Sequence, residues 1–267
     1  MTKKIDVRSI LLKYAQSFED TEVAVLLSGG IDSASVMFSM LEAGKKVIAY
    51  SFMLNGKMSS DFAYARRNAR NFNCEFVSII LPDNIETLKL DLIDLQKFGA
   101  RTKTDFECGW PMLYAYRQIT QKIIASGMGA DGHFCISKKG MIHYRDRIDE
   151  FRLGLYRNPN YAQAHIHKAL AKKFEKTIIM PYLTDDMQQM FLGTTWNQVN
   201  KPRQKQPILD SYPIEFSRIK IRPHINLQLG DSGIAQHFFK LLKTNWNKRN
   251  YKSPVGIYNL ITSGVIK

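Results

Sequence analysis

Six consecutive residues, Ser28-Gly29-Gly30-Ile31-Asp32-Ser33, carry the groups that a chain of phosphates needs around it. Two adjacent glycines let the backbone approach an anion closely, because no Cβ stands in the way. A helix starting immediately afterwards would add free N–H groups and the positive end of its dipole. Asp32 then stands where a carboxylate can hold a magnesium ion bound to the phosphates, and Ser33 adds a hydroxyl donor. The plainer alternative makes Asp32 a helix N-cap and leaves the glycines to the turn.

Such a cradle needs a strand before it and a helix after it. The apolar run 23–27 predicts a strand covered on both faces, with Leu27 as its last residue. An amphipathic helix is expected over 32–43, with Val36, Met37, Met40 and Leu41 on one face and Gly44 as its stop. Strands at 47–54 and 75–81 flank a helix at 59–72 opened by serine, and an apolar stripe marks a first helix over 5–18. Two further strands are expected at 122–127 and 176–181. This alternation predicts βαβ units in an α/β fold, a doubly wound parallel sheet with right-handed crossovers. In such sheets ligands sit beyond the carboxyl ends of the strands, where Ser28, Gly29 and Gly30 would lie. The whole chain, 1–267, reads as one domain, an α/β core over 1–183 and a mainly helical, basic part over 184–267.

The 267 residues are 45% hydrophobic, enough for a full core. No run of 18 apolar residues occurs, and MTKKIDVRSI lacks the apolar centre of a signal peptide, so a soluble cytoplasmic protein with no membrane partner is expected. Cys74, Cys108 and Cys135 are odd in number and form no C-x-x-C, which argues against a disulfide framework and a zinc site. The net charge is +14, and from residue 201 onward 12 Lys or Arg face three acids, Asp210, Glu215 and Asp231. That excess attracts phosphates, whether of a nucleotide or of a nucleic acid.

The loop SGGIDS resembles the pyrophosphate loop (PP-loop) of the N-type ATP pyrophosphatases, and differs from a Walker A loop in lacking G-K-[ST]. Three further stretches resemble the synthetase domain of asparagine synthetase and β-lactam synthetase: AYSFML (49–54), IIASGMGADGHF (123–134) and WNQVNKPRQKQPILD (196–210). MPYLTDD (180–186) is similar to the V-P-F-L-D turn of the same proteins. The resemblance implies an adenine nucleotide α-hydrolase-like fold that binds ATP and Mg²⁺ and releases pyrophosphate. It implies nucleotide contacts from Leu26, Ser28, Gly29, Gly30, Asp32 and Ser33 in the first loop, and from Leu54, Ser126 and Gly127 beyond it. Asp131 matches the aspartate that shares magnesium with Asp32, and Lys205 matches the lysine that steadies the phosphates. In physical terms, carboxylates from two strand ends can clamp the metal while Lys205 neutralises the departing pyrophosphate; the bland reading of Lys205 is a solvated basic loop.

Two departures from the resembled pattern shape the functional expectation. No N-terminal cysteine of a glutaminase is present, so nitrogen would come from free ammonia, an amine substrate or a separate glutaminase partner. The glutamate that helps deprotonate the attacking nitrogen is replaced by Met128, and the one after the aspartate by Gly132. His133 is the nearest titratable side chain, with an ordinary structural role expected. The main reading is an AMP-forming ligase that adenylates a small-molecule carboxylate and passes ammonia or an amine to it. The segment 98–117, with Arg101, Lys103, Trp110 and Tyr114, is a candidate acceptor pocket or a packed helix. A second reading moves the acceptor to a tRNA or DNA base, tracked by the basic tail with Trp246 and Tyr251. A third is a degenerate nucleotide-binding subunit.

Overall fold

A computed structural model describes residues 4–221 and 230–244. Helix α1 (Val7–Ala15) is capped by Asp6, whose carboxylate accepts from Ser9 N at 3.1 Å. Then follow β1 (Glu22–Leu26), α2 (Ile31–Glu42), β2 (Lys46–Leu54), α3 (Ser60–Asn71) and β3 (Glu75–Leu81). On the far side of β3 come α4 (Ile85–Lys97) and α5 (Lys103–Gln118), which lead into β4 (Ile123–Ser126). The one-turn α6 (Asp131–Phe134), α7 (Lys138–Tyr144), α8 (Ile148–Tyr156) and α9 (Ala164–Lys173) precede β5 (Thr177–Ile179). Last are α10 (Asp185–Phe191), α11 (Trp196–Asn200), α12 (Gln206–Ser211), α13 (Pro213–Ser217) and α14 (Ile234–Thr244).

The five strands form one parallel sheet in the order β3-β2-β1-β4-β5. The sequence sends alternate side chains to opposite faces, as strand geometry requires. Val23, Val25 and Leu27 join Val47, Ala49, Ile123 and Ala125 in a core with α1, α2 and α12. Ala24, Ile48, Tyr50 and Ile124 instead face α4, α5, α9 and α14. With helices on both faces the fold is the doubly wound α/β architecture. The chain reverses its direction of winding between β1 and β4, and this is where such sheets open a crevice.

The strand ladder ends one residue earlier than the apolar run predicts, at Leu26, although Leu27 N still donates to Tyr50 O at 2.8 Å. Helix α2 starts at Ile31 with Gly30 as N-cap and no side-chain cap bond, so Asp32 is not the cap. Nor is α2 amphipathic: every residue from Ser33 to Met40 is buried. The sheet covers one side, while α1 and α12 cover the other. Its serines fit because they bond backward, Ser35 Oγ to Asp32 O and Ser39 Oγ to Val36 O, both at 2.8 Å. The candidate pocket segment is likewise a packed helix. Trp110 is fully buried on α5, and it and Tyr114 both donate to Asp91, at 2.9 and 2.7 Å. Trp246, Tyr251 and five of the basic residues counted from 201 onward lie outside the described residues.

No helix among the described residues is long and apolar enough to cross a membrane.

Candidate active site

Leu26 and Ser126 are register partners on β1 and β4, so the loops that leave these strands start side by side. Their contact is tight. A Cβ on Gly127 would lie 2.5 Å from Asp32 C and 2.6 Å from Ser33 N, so only glycine lets the second loop touch the first turn of α2. Beyond it Gly129 has φ +91°, and a Cβ there would strike the Leu183 side chain. The turn 180–186 thus packs against the second loop, and the Tyr182 hydroxyl ties it to α2 as well, 2.7 Å from Ser35 Oγ.

The first loop is held by its own side chains. Ser33 Oγ accepts from Ser28 N at 3.0 Å and lies 2.9 Å from Ser28 Oγ, which accepts from Gly30 N at 3.2 Å. Gly29 N donates to the Asp61 carboxylate of α3 at 2.9 Å. The loop therefore grips an anion, and the anion is a side chain that the motif gave no hint of. Ser59 explains its place: as N-cap it accepts from Phe62 N at 3.1 Å and fixes the first turn of α3, which carries Asp61.

Asp32 and Asp131 converge on one cation, the Lys205 ammonium. Its Nζ lies 2.8 and 2.6 Å from the two Asp32 oxygens and 2.5 Å from Asp131 Oδ1. Lys205 is only 4% exposed, so it is no solvated loop residue. Burial by itself would lower its pKa, but the two carboxylates outweigh that and hold it above the ordinary lysine value. The backbone at Lys205 is left-handed, φ +60°, and Asn200 Oδ1 accepts from its N–H at 3.3 Å. Asn200 in turn donates to Phe134 O at 2.8 Å, which ties the lysine segment to the second loop's helix.

The remaining expected residues fall around this centre. Ser126 is buried, with its Oγ accepting from Met128 N at 3.3 Å. Leu54 is buried at the end of β2, and its carbonyl accepts from Lys57 N at 2.8 Å. His133 is wholly buried and stacked on Phe191 at 4.5 Å. Its Nε2 donates to Tyr182 O at 2.7 Å, Tyr156 Oη bonds Nδ1, and burial lowers its pKa to about 3. It is a neutral core residue and no proton carrier. Burial also pushes the Cys108 thiol up to about 12.

Comparison with known proteins gives the chain's family. The family model described as asparagine synthase matches residues 14–211. The 7-cyano-7-deazaguanine synthase of Prochlorococcus marinus (strain NATL1A) is 40% identical over 87 residues, 33% of this chain and 33% of that protein. The microcin J25-processing protein McjC of Escherichia coli is 28% identical over 81 residues, 30% of this chain and 16% of McjC. The chain thus spans a third or less of the length of these curated relatives. Among solved structures, the U34-tRNA thiolase NcsA of Methanococcus maripaludis aligns with a TM-score of 0.40 at 12% identity, over 97% of this chain and 76% of that one. The chain belongs to the asparagine synthase family, a family of ATP-dependent enzymes.

Proposed function

We propose that this chain is an AMP- and pyrophosphate-forming ligase that joins ammonia or an amine to a carboxylate. The observation that carries the reading is the meeting of Asp32, Asp131 and buried Lys205 at the point where the sheet reverses its winding. Magnesium fits the donor set. Two hard carboxylates already share one cation, and Mg²⁺ characteristically takes one or two carboxylates and fills its other positions with water and phosphate oxygens. Asp32 and Asp131 would hold it, and there it would supply neutralising charge to the phosphates.

The chain's own residues do the rest. The Ser28–Ser33 loop and the head of α2 would orient the triphosphate. A carboxylate oxygen of the acceptor then forms a bond to the α-phosphorus as the bond to the bridging oxygen breaks, and pyrophosphate leaves with the electron pair. Lys205 compensates the charge that develops on that leaving group. In the second half the nitrogen attacks the acyl carbon, AMP leaves, and the nitrogen loses a proton to a group other than residue 128, since methionine takes none. The relatives' names give 7-cyano-7-deazaguanine as one product and microcin J25 as another protein's target, so the acceptor differs among proteins similar to this chain.

The test is an assay of nucleotide products with ATP, Mg²⁺, ammonia and a panel of carboxylic acids. AMP and pyrophosphate in equal amounts, dependent on one acid, are expected. ADP and inorganic phosphate as the products would contradict the reading.

A further inference from the structure

The second loop has glycine, at position 132, directly after Asp131, and the structure gives the reason. A Cβ on Gly132 would sit 2.5 Å from Tyr161 Oη and 2.9 Å from its Cζ. The phenol fills the place a side chain would take. Its Oη donates to Gly129 O at 3.3 Å, and the Gly132 N–H faces the same oxygen. Gly129 O also accepts from Gly132 N at 3.3 Å. Asp131 is thus bracketed, before and behind, by the two residues that one hydroxyl touches.

The backbone that delivers Tyr161 is itself unusual. Ala162 and Gln163 have φ of +54° and +56°, two successive left-handed residues, neither of them glycine. Side chains disfavour that conformation, so the fold accepts strain to seat the ring. The strained turn lies between α8 and α9, far along the chain from both strand-end loops.

We propose that Tyr161 is a positioning residue for Asp131, its hydroxyl fixing loop 129–132 so that the carboxylate faces the shared cation position. This rests on the function proposed above. Through its bond to Gly129 O the hydroxyl acts on the backbone, and so sets where residue 131 points.

The test is Tyr161→Phe, which keeps the ring and removes the hydroxyl. Mn²⁺ binding is measured by electron paramagnetic resonance in the presence of α,β-methylene-ATP, an analogue that cannot release pyrophosphate. A loss of about tenfold in Mn²⁺ affinity is expected, the lower end for partners outside the ligand set, with Tm unchanged within about 2 °C. In an Asp131→Asn background the same substitution should change nothing further, because the carboxylate it serves is already gone. Gly132→Ala, which drives the hydroxyl off the loop but leaves the tyrosine present, should reproduce the loss. Unchanged affinity in either single variant, or the full loss persisting without Asp131, would overturn the role. Wild-type protein that binds no Mn²⁺ with the nucleotide would overturn the proposed function instead.

Discussion

Asp32→Asn is expected to slow ATP-dependent pyrophosphate release by about 10²–10³-fold, the range for removing one preorganised charge contact from a transition state. The amide keeps the size of the carboxylate and one acceptor for Lys205, so the change removes charge and little else. Alanine is a poorer choice than the position's place at the edge of the sheet implies. Asp32 is bonded to a lysine only 4% exposed, and emptying one side of a buried ion pair costs stability as well as chemistry. The check is single-turnover pyrophosphate release together with thermal melting of the same variant. A rate within a few-fold of the parent, with the fold intact, would remove Asp32 from the metal and phosphate site.

Lys205→Met should have an effect of similar size and a second, opposite one. The rate of adenylation should fall by about 10²–10³-fold, because the charge facing the departing pyrophosphate is lost. A fall in nucleotide affinity alone, with the maximal rate kept, would make the lysine a positioning contact. At the same time the protein without nucleotide should gain affinity for a divalent cation. In the parent chain the ammonium lies within 2.8 Å of both carboxylates, so a metal must compete with it for the same oxygens. Methionine withdraws the competitor and leaves two like charges seeking a counter-ion. An Mn²⁺ titration without nucleotide should therefore show binding at least about tenfold tighter in the variant, a difference of roughly 1.4 kcal/mol. Equal affinity would show that the lysine and the metal use different places.

Much of this is legible in the residues, and the rest lies in contacts that no local pattern encodes. Strands β1, β2 and β3 are short apolar runs set between turn signals, and helix α3 opens on Ser59, so period and capping place them to within a residue or two. Asp32, Asp131 and Lys205 belong to separate motifs; what brings them to one cation position is β4 pairing with β1, a contact about a hundred residues apart in sequence. Periodicity called α2 amphipathic because its outer face is rich in serine. It is covered by α1 and α12, and the serines satisfy their own hydroxyls. The motif marks Lys205 for the phosphates, but composition leaves a solvated basic loop open as well, since it cannot tell a solvated lysine from one buried between two acids. Asp61 and Tyr161 carried no signal at all. Each lies on an element remote from the loop it touches, and their contacts, to Gly29 N and Gly129 O, use backbone that has no sequence.

Where the triphosphate binds decides the function. A crystal structure with α,β-methylene-ATP and Mg²⁺ tests this most directly. The predicted complex has the phosphates along Ser28–Ser33 at the head of α2, the metal between Asp32 and Asp131, Lys205 moved from those carboxylates onto a phosphate, and Asp61 released from Gly29. Phosphates bound elsewhere on the molecule, with the lysine still seated between its two aspartates, would contradict it.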